Sequence, residues 1–388
     1  MGRFRPLDGM IQLLAVVAVA AMIGETSRAE APRPELDRLR NHVEVLASPA
    51  FEGRRGAGAR KAEAYVLDAF KKLGLEPLFG DSFTQDVPDN DPARIIGRNV
   101  GVVMRGSDPA LRDEYVMLAA HYDHLGVRDG VLYPGADDNA SAVAMLLETS
   151  RSFVEADVKP RRSVIFMAFD LEEFGLFGSR YFAAHPPMPL EQIRLFITAD
   201  LIGRSLGGVC ERDLFVIGAE NSPGVRPWIE EASVGRDLRV GQLGADVLVL
   251  DRSDYGPFRS RKVPFLFFSC GESPDYHKPT DLAETLNYPK LAEVSRVMHD
   301  VVRKASLADS ISGWVATPSN TLDEAVTVRD ILTTLLKHET KLSVGAAQKY
   351  LMKATLRTLE DAIGRGTLTP EERARMVQVV RLVMFSVL

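Results

Sequence analysis

Five apolar runs of strand length set the first constraint on this chain: RNVGVVMRG, YVMLAAHYD, RSVIFMAFD, IRLFITADLIG and VPFLFFSCG. They are apolar almost continuously rather than at alternate positions, so a strand built from one has to be covered on both faces. Segments with helical spacing separate several of them, among them SAVAMLLETSRSFVEA and GLFGSRYFAAHP. Strands buried on both sides and alternating with helices specify an α/β fold, a mostly parallel mixed sheet flanked by helices. Two more helices are expected ahead of the first run, ELDRLRNHVEVLAS and GARKAEAYVLDAFKKLGL, with Gly74 ending the second. The Gly-rich turn region SPAFEGRRGAG lies between them.

From about Ser306 the pattern turns wholly helical. Thr321 to Glu324 reads as a capping box opening DEAVTVRDILTTLLKHE, and a second helix runs through AAQKYLMKATLRTLEDAIG to Gly364. Thr369, Pro370 and Glu372 open a third, RARMVQVVRLVMFSVL. The apolar face of Met376 to Leu388 either packs on the main domain or supports self-association with another copy. With 388 residues the chain is long enough for one large α/β domain and an appendage. The expected organisation is residues 1–31, 32–305 for the α/β domain, and 306–388 for an α-helical C-terminal extension.

Residues 1–31 read as a signal peptide. Arg3 and Arg5 precede an apolar stretch from Ile11 to Gly24, followed by an A-x-A site at Ala29 to Ala31. Export to the periplasm or the extracellular space is the expectation, with no stable membrane insertion after cleavage; an uncleaved anchor is the alternative. Cys210 and Cys270 either pair or remain two buried thiols. The net charge of -6 gives no reason to expect nucleic acid as a partner.

The chemistry-bearing residues follow the strands. His121 and Asp123 come after YVMLAA, Asp170, Glu172 and Glu173 after RSVIFMAF, and Asp200 after IRLFITA. Ends of parallel strands share one rim of the sheet, where α/β proteins place their sites. Any one of these acids could be a helix cap or a solvated surface group. So many carboxylates on one rim need a cation. Imidazole and carboxylate without thiolate suit zinc, with manganese or cobalt as substitutes, and the number of groups exceeds what one tetrahedral ion needs.

HYDHLG, GADDNASA, FDLEEFGLFGS, ADLIGR and YHKPTD, in this order between Glu35 and Lys304, resemble the co-catalytic di-zinc exopeptidases of metallopeptidase family 28. The resemblance implies an aminopeptidase acting on peptide substrates with two Zn2+ per chain. It implies His121 as ligand of one ion, oriented by Asp123, and Asp137 as the bridge between both. Glu173 and Asp200 each take one ion, and His277 completes the second. Glu172 is implied as the general base that takes the proton of the attacking water. The family's cis peptide bond is expected at Asp137–Asp138. His124 and His338 read as non-ligands. In DRSDYGPF, Tyr255 stands where the family usually has His, and either donates its hydroxyl to the developing oxyanion or simply packs. Rival readings are a glutaminyl cyclase-like or carboxypeptidase-like relative, and a binding module without catalysis.

Overall fold

The computed structural model describes residues 32–247, 250–316 and 322–387, the side chains only as far as 383 in the last segment. The expected signal peptide lies outside the described residues. Arg33 to Leu388 form one compact unit. In chain order its strands are β1 (Glu76–Pro77), β2 (Thr84–Pro88), β3 (Ile95–Met104), β4 (Tyr115–His121), β5 (Gly126–Arg128), β6 (Val131–Tyr133), β7 (Ser163–Phe169), β8 (Ile193–Ala199), β9 (Asp213–Ile217), β10 (Arg239–Leu243) and β11 (Phe265–Ser269). The α-helices are α1 (Leu36–Leu46), α2 (Ala57–Lys72), α3 (Ser141–Glu155), α4 (Phe177–Ala184), α5 (Arg226–Ser233), α6 (Tyr255–Arg259), α7 (Tyr288–Leu307), α8 (Leu322–Lys337), α9 (Ala346–Arg365) and α10 (Pro370–Val387).

The main sheet has the order β1-β3-β7-β4-β8-β11-β9-β10, with β2 also paired to β3. Its centre, β7-β4-β8-β11, is parallel, and β3 and β9 join it antiparallel. The five apolar runs became β3, β4, β7, β8 and β11, four of them this parallel centre. β4 shows why their apolarity is continuous. Val116, Leu118 and Ala120 face one core, while Tyr115, Met117 and Ala119 face the other. The first core is closed by α1, α2, α3 and α7 through residues such as Leu39, Val66, Leu146 and Val297. β9 and β10 were not anticipated; β10 is an edge strand, three of its five residues only half-buried, with little apolar signal.

The C-terminal helices complete the second core. Val328 and Leu332 of α8, Leu359 of α9, and Met376, Val380 and Val383 of α10 join it. The apolar face expected either to pack or to self-associate is therefore used within the chain, as far as its side chains are described. Arg373 of α10 anchors the helices to the domain, with hydrogen bonds to Glu324 Oε2 at 2.7 Å and Asp246 Oδ1 at 2.6 Å. Glu324 accepts the Gly244 N–H at 2.7 Å, so it ties α8 to the loop after β10. The expected capping box at Thr369 and Glu372 is formed, at 3.2 and 2.9 Å. Helix α9 runs past Gly364 and stops at Gly366, which takes the left-handed conformation (φ 75°) that glycine reaches without steric cost. α7 continues through Leu307, beyond the expected boundary at 305. Cys210 and Cys270 are both free and buried, which pushes their thiols up to about 12 and about 11.

Candidate metal centre

The strand ends converge as the sequence requires. β4 delivers His121, the turn after β7 delivers Glu172 and Glu173, and Asp200 follows β8. The loop before α3 adds Asp138, and the segment after β11 adds His277. His121 Nε2 lies 3.5 Å from Asp138 Oδ1 and 3.5 Å from Asp200 Oδ1, with Glu172 Oε2 at 4.0 Å. His277 Nε2 lies 3.1 Å from Asp138 Oδ2 and 3.1 Å from Glu173 Oε2. Asp138 thus offers one oxygen to each of two imidazole–carboxylate groups. Ligand atoms about 2.0–2.2 Å from a tetrahedral zinc stand roughly 3.3–3.6 Å from one another, close to these separations.

The donors fit a cation. His121 Nδ1 faces the Asp123 carbonyl at 3.2 Å, an acceptor, so Nδ1 carries a proton. Nε2 then points at carboxylates, and among the described residues neither it nor Asp200 Oδ1 has a hydrogen-bond partner. Two groups of ligating residues lie close enough to share an ion: His121, Glu172 and Asp200, and His124, Asp138 and Glu173. The charges strain one another. Burial, then the neighbouring Asp138, pushes Asp200 up to about 6, and burial pushes Glu172 well above the carboxylate range. Burial opposes protonation of His277, but Asp138 and Glu173 outweigh it and hold it up to about 10. Glu173 is held well below its usual range, because hydrogen bonds with His124 and His277 overcome its burial.

The structure corrects two expectations about the acidic doublet. Asp137 does not face this cluster: its Oδ1 accepts the Gly203 N–H at 2.6 Å and it is buried. Neighbouring side chains diverge, so turning Asp138 inward sends Asp137 elsewhere. The cis peptide bond is Asp138–Asn139, not Asp137–Asp138. Asp281, in the same YHKPTD stretch as His277, secures the loop by accepting the Asp137 N–H at 2.9 Å and the Asp138 N–H at 3.1 Å.

Of the two alternatives for Tyr255, the structure matches packing. Tyr255 is fully buried, stacked on Phe265 at 4.9 Å between ring centroids, and its hydroxyl has no hydrogen-bond partner among the described residues. It is absent from the cavity wall, where Tyr276 stands instead, stacked on His277 at 3.9 Å. Tyr276 could have been noticed, since it sits beside His277 in a motif already singled out.

Asp123 does more than face the His121 ring, whose Nδ1 meets its backbone carbonyl at 3.2 Å and its Oδ1 at 3.7 Å. Its Oδ1 accepts the Glu172 N–H at 3.0 Å and its Oδ2 the Glu173 N–H at 3.3 Å, so one carboxylate sets the turn that presents both glutamates. His124, read as a non-ligand, lies 2.7 Å from Glu173 Oε1. Asp170 turns away and pairs with Arg60 at 2.5 Å. His338 follows α8 directly in the C-terminal helices, outside the cluster.

The cluster opens into a cavity of about 400 Å³. Leu206, Phe215, Ile217 and Phe267 form an apolar wall, and Arg180, Arg252 and Arg381 also line it. Arg381 comes from α10, so the C-terminal helices contribute to this cavity.

The family model described as Peptidase family M28 matches residues 99–302, more than half of the chain. A probable zinc metalloprotease of Leptosphaeria maculans is 34% identical over 166 residues, 41% of this chain and 37% of that protein. The aminopeptidase YwaD of Bacillus subtilis is 25% identical over 202 residues, 49% of this chain and 42% of that one. The chain spans less than half the length of these curated relatives. In fold it is similar to the aminopeptidase from Aneurinibacillus sp. strain AM-1, with a TM-score of 0.55, 16% identity, and coverage of 74% of this chain and 97% of that one.

Proposed function

The chain belongs to peptidase family M28, and from that premise we propose that it is a two-zinc exopeptidase, an aminopeptidase releasing N-terminal residues from peptides. The observation that carries this reading is Asp138, whose Oδ1 and Oδ2 each meet a separate imidazole–carboxylate group. His121, Asp200 and Asp138 would hold one ion, and His277, Glu173 and Asp138 the other. His124 is better suited to positioning Glu173, since its Nδ1 is already at hydrogen-bond distance from Oε1. Manganese or cobalt could replace zinc at such donors.

Bound zinc would supply Lewis-acid polarisation of the scissile carbonyl and acidify the attacking water. The chain's own residues do the rest. Glu172, nearly buried and beside His121, takes the proton of the water and delivers it to the departing amine. Its raised proton affinity suits both halves of that transfer. Asp123 keeps Glu172 and Glu173 in place through their backbone amides. The apolar wall of Phe215, Ile217 and Phe267 would receive an apolar side chain beside the scissile bond and exclude water. Export remains part of the proposal on the strength of the N-terminal pattern, and N-terminal sequencing of protein recovered outside the cytoplasm tests it.

One observation favours a second reading. Arg180, Arg252 and Arg381 line the cavity; among the described residues only Arg252 pairs with a carboxylate there, Glu272 at 3.2 Å, while Arg381 donates to the Asp246 carbonyl at 3.0 Å. Guanidinium groups suit a substrate carboxylate, as a carboxypeptidase-like relative requires. The deciding experiment is hydrolysis of aminoacyl amides beside N-blocked peptides with free acidic C-termini, using zinc-loaded protein and Glu172→Gln. Turnover of the amides, lost in the variant with metal content intact, supports the aminopeptidase. Turnover of only the blocked peptides moves the assignment to a carboxypeptidase, and no turnover of either sinks both.

A further inference from the structure

Arg54 lies in the Gly-rich turn between α1 and α2 and is completely buried. A buried guanidinium ordinarily has a carboxylate against it. Among the described residues Arg54 has no ion pair. All its hydrogen bonds go to backbone carbonyls: Nε to Tyr122 at 2.9 Å, Nη1 to Leu46 at 3.0 Å and Pro134 at 2.6 Å, Nη2 to Gly135 at 2.7 Å and Asp138 at 3.1 Å. A guanidinium has five N–H donors, and here each has an acceptor. Burial lowers its pKa to about 10, which leaves it a cation at neutral pH.

The acceptors come from three separate segments. Leu46 ends α1, Tyr122 lies between His121 and Asp123, and Pro134, Gly135 and Asp138 belong to the loop that carries the shared carboxylate. The turn is inserted closely beneath that loop. A Cβ on Gly53, whose φ is +62°, would lie 2.4 Å from the Tyr133 carbonyl oxygen and 2.7 Å from that of Gly126. Arg54 in turn offers its own carbonyl to the His124 N–H at 3.2 Å. Among the described residues no strand pairing joins the end of β4 to the loop before α3, yet His121 Nε2 and Asp138 Oδ1 stand 3.5 Å apart. The guanidinium spans that gap.

We propose that Arg54 is a positioning residue: by clamping the carbonyls of Tyr122, Gly135 and Asp138, it sets the distance between His121 and Asp138 before any ion arrives. Lysine cannot replace it, because an ammonium has three donors and no planar fork. The inference rests on the two-zinc reading for its consequence, but its structural content can be read without zinc.

The experiment compares wild type with Arg54→Lys and Arg54→Gln by zinc competition against a chelating dye, steady-state kinetics at saturating zinc, and amide exchange. The expected result is zinc affinity weakened about tenfold or more, as for other residues that orient ligands. kcat should fall with KM little changed, and the amides of Asp137 and Asp138 should lose protection in zinc-free variants. Zinc affinity within about threefold of wild type, in variants merely less stable to urea, would overturn the proposal. Should neither variant fold, wild type alone decides. Equal protection of those two amides with and without zinc supports a preformed loop, and loss of it on zinc removal refutes one. If wild type binds no zinc, the peptidase reading fails, while amide exchange still reports whether Arg54 holds the loop.

Discussion

Asp138 Oδ2 stands 3.1 Å from His277 Nε2, while the adjacent carboxylate of Asp137 is turned away onto the Gly203 amide at 2.6 Å. Two chemically identical neighbours therefore have different jobs. Asp138→Asn should reduce bound zinc to about one ion or fewer per chain, because both groups lose a charged ligand. Asp137→Asn, which still offers an acceptor to Gly203, should keep its full metal content. Asp137→Ala leaves that buried N–H unpaired and should cost about 1–3 kcal/mol of stability. Elemental analysis of the purified variants, with urea unfolding, checks all three; equal metal loss in both Asn variants would contradict the assignment.

Asp123 has both oxygens occupied by the amides of Glu172 and Glu173. Asp123→Asn can accept only one of them through oxygen, so the double-glutamate turn should loosen. We expect zinc affinity to fall about 10- to 100-fold, the range seen when groups supporting metal ligands are removed. kcat should drop with it. Dye competition and kinetics at saturating zinc measure the two effects, and an unchanged affinity would confine Asp123 to orienting the His121 ring.

Tyr255→Phe is expected to be silent in catalysis. The hydroxyl is buried without a partner among the described residues, so its removal should leave kcat/KM unchanged and stability neutral or raised by up to about 1 kcal/mol. A loss of kcat with stability intact would restore the oxyanion role.

Acid should loosen the C-terminal helices. The hydrogen bonds of Arg373 hold the Asp246 carboxyl below its ordinary value of 3.8. A depressed pKa means stability that is present in full above 3.8 and lost as pH falls through the lowered folded value. Asp246 is 45% exposed, so its share is at most about 1 kcal/mol. The difference between wild type and Asp246→Asn in urea unfolding should be constant from pH 7 to about 5, shrink as pH falls below 3.8, and vanish only below the lowered folded value. A difference that persists at the acid end would assign the pair no part in acid lability.

The primary sequence alone determined the kind of fold and the place of the site. Runs such as YVMLAAHYD are apolar on both pleat faces because β4 divides its residues between two cores, and that requirement is written locally. The residues after such strands share a rim by topology, so His121, Glu172, Glu173 and Asp200 could be placed together, and the family resemblance of YHKPTD added His277. Which of two adjacent aspartates faces inward is not a local property. It depends on Gly203, Asp281 and Arg54, which reach the loop from distant parts of the chain. The role of Tyr255 stayed open for the same reason, since its motif says nothing about which side of α6 meets Phe265. Spacing within a chain reports the period of each element, whereas ligand geometry depends on the contacts between elements.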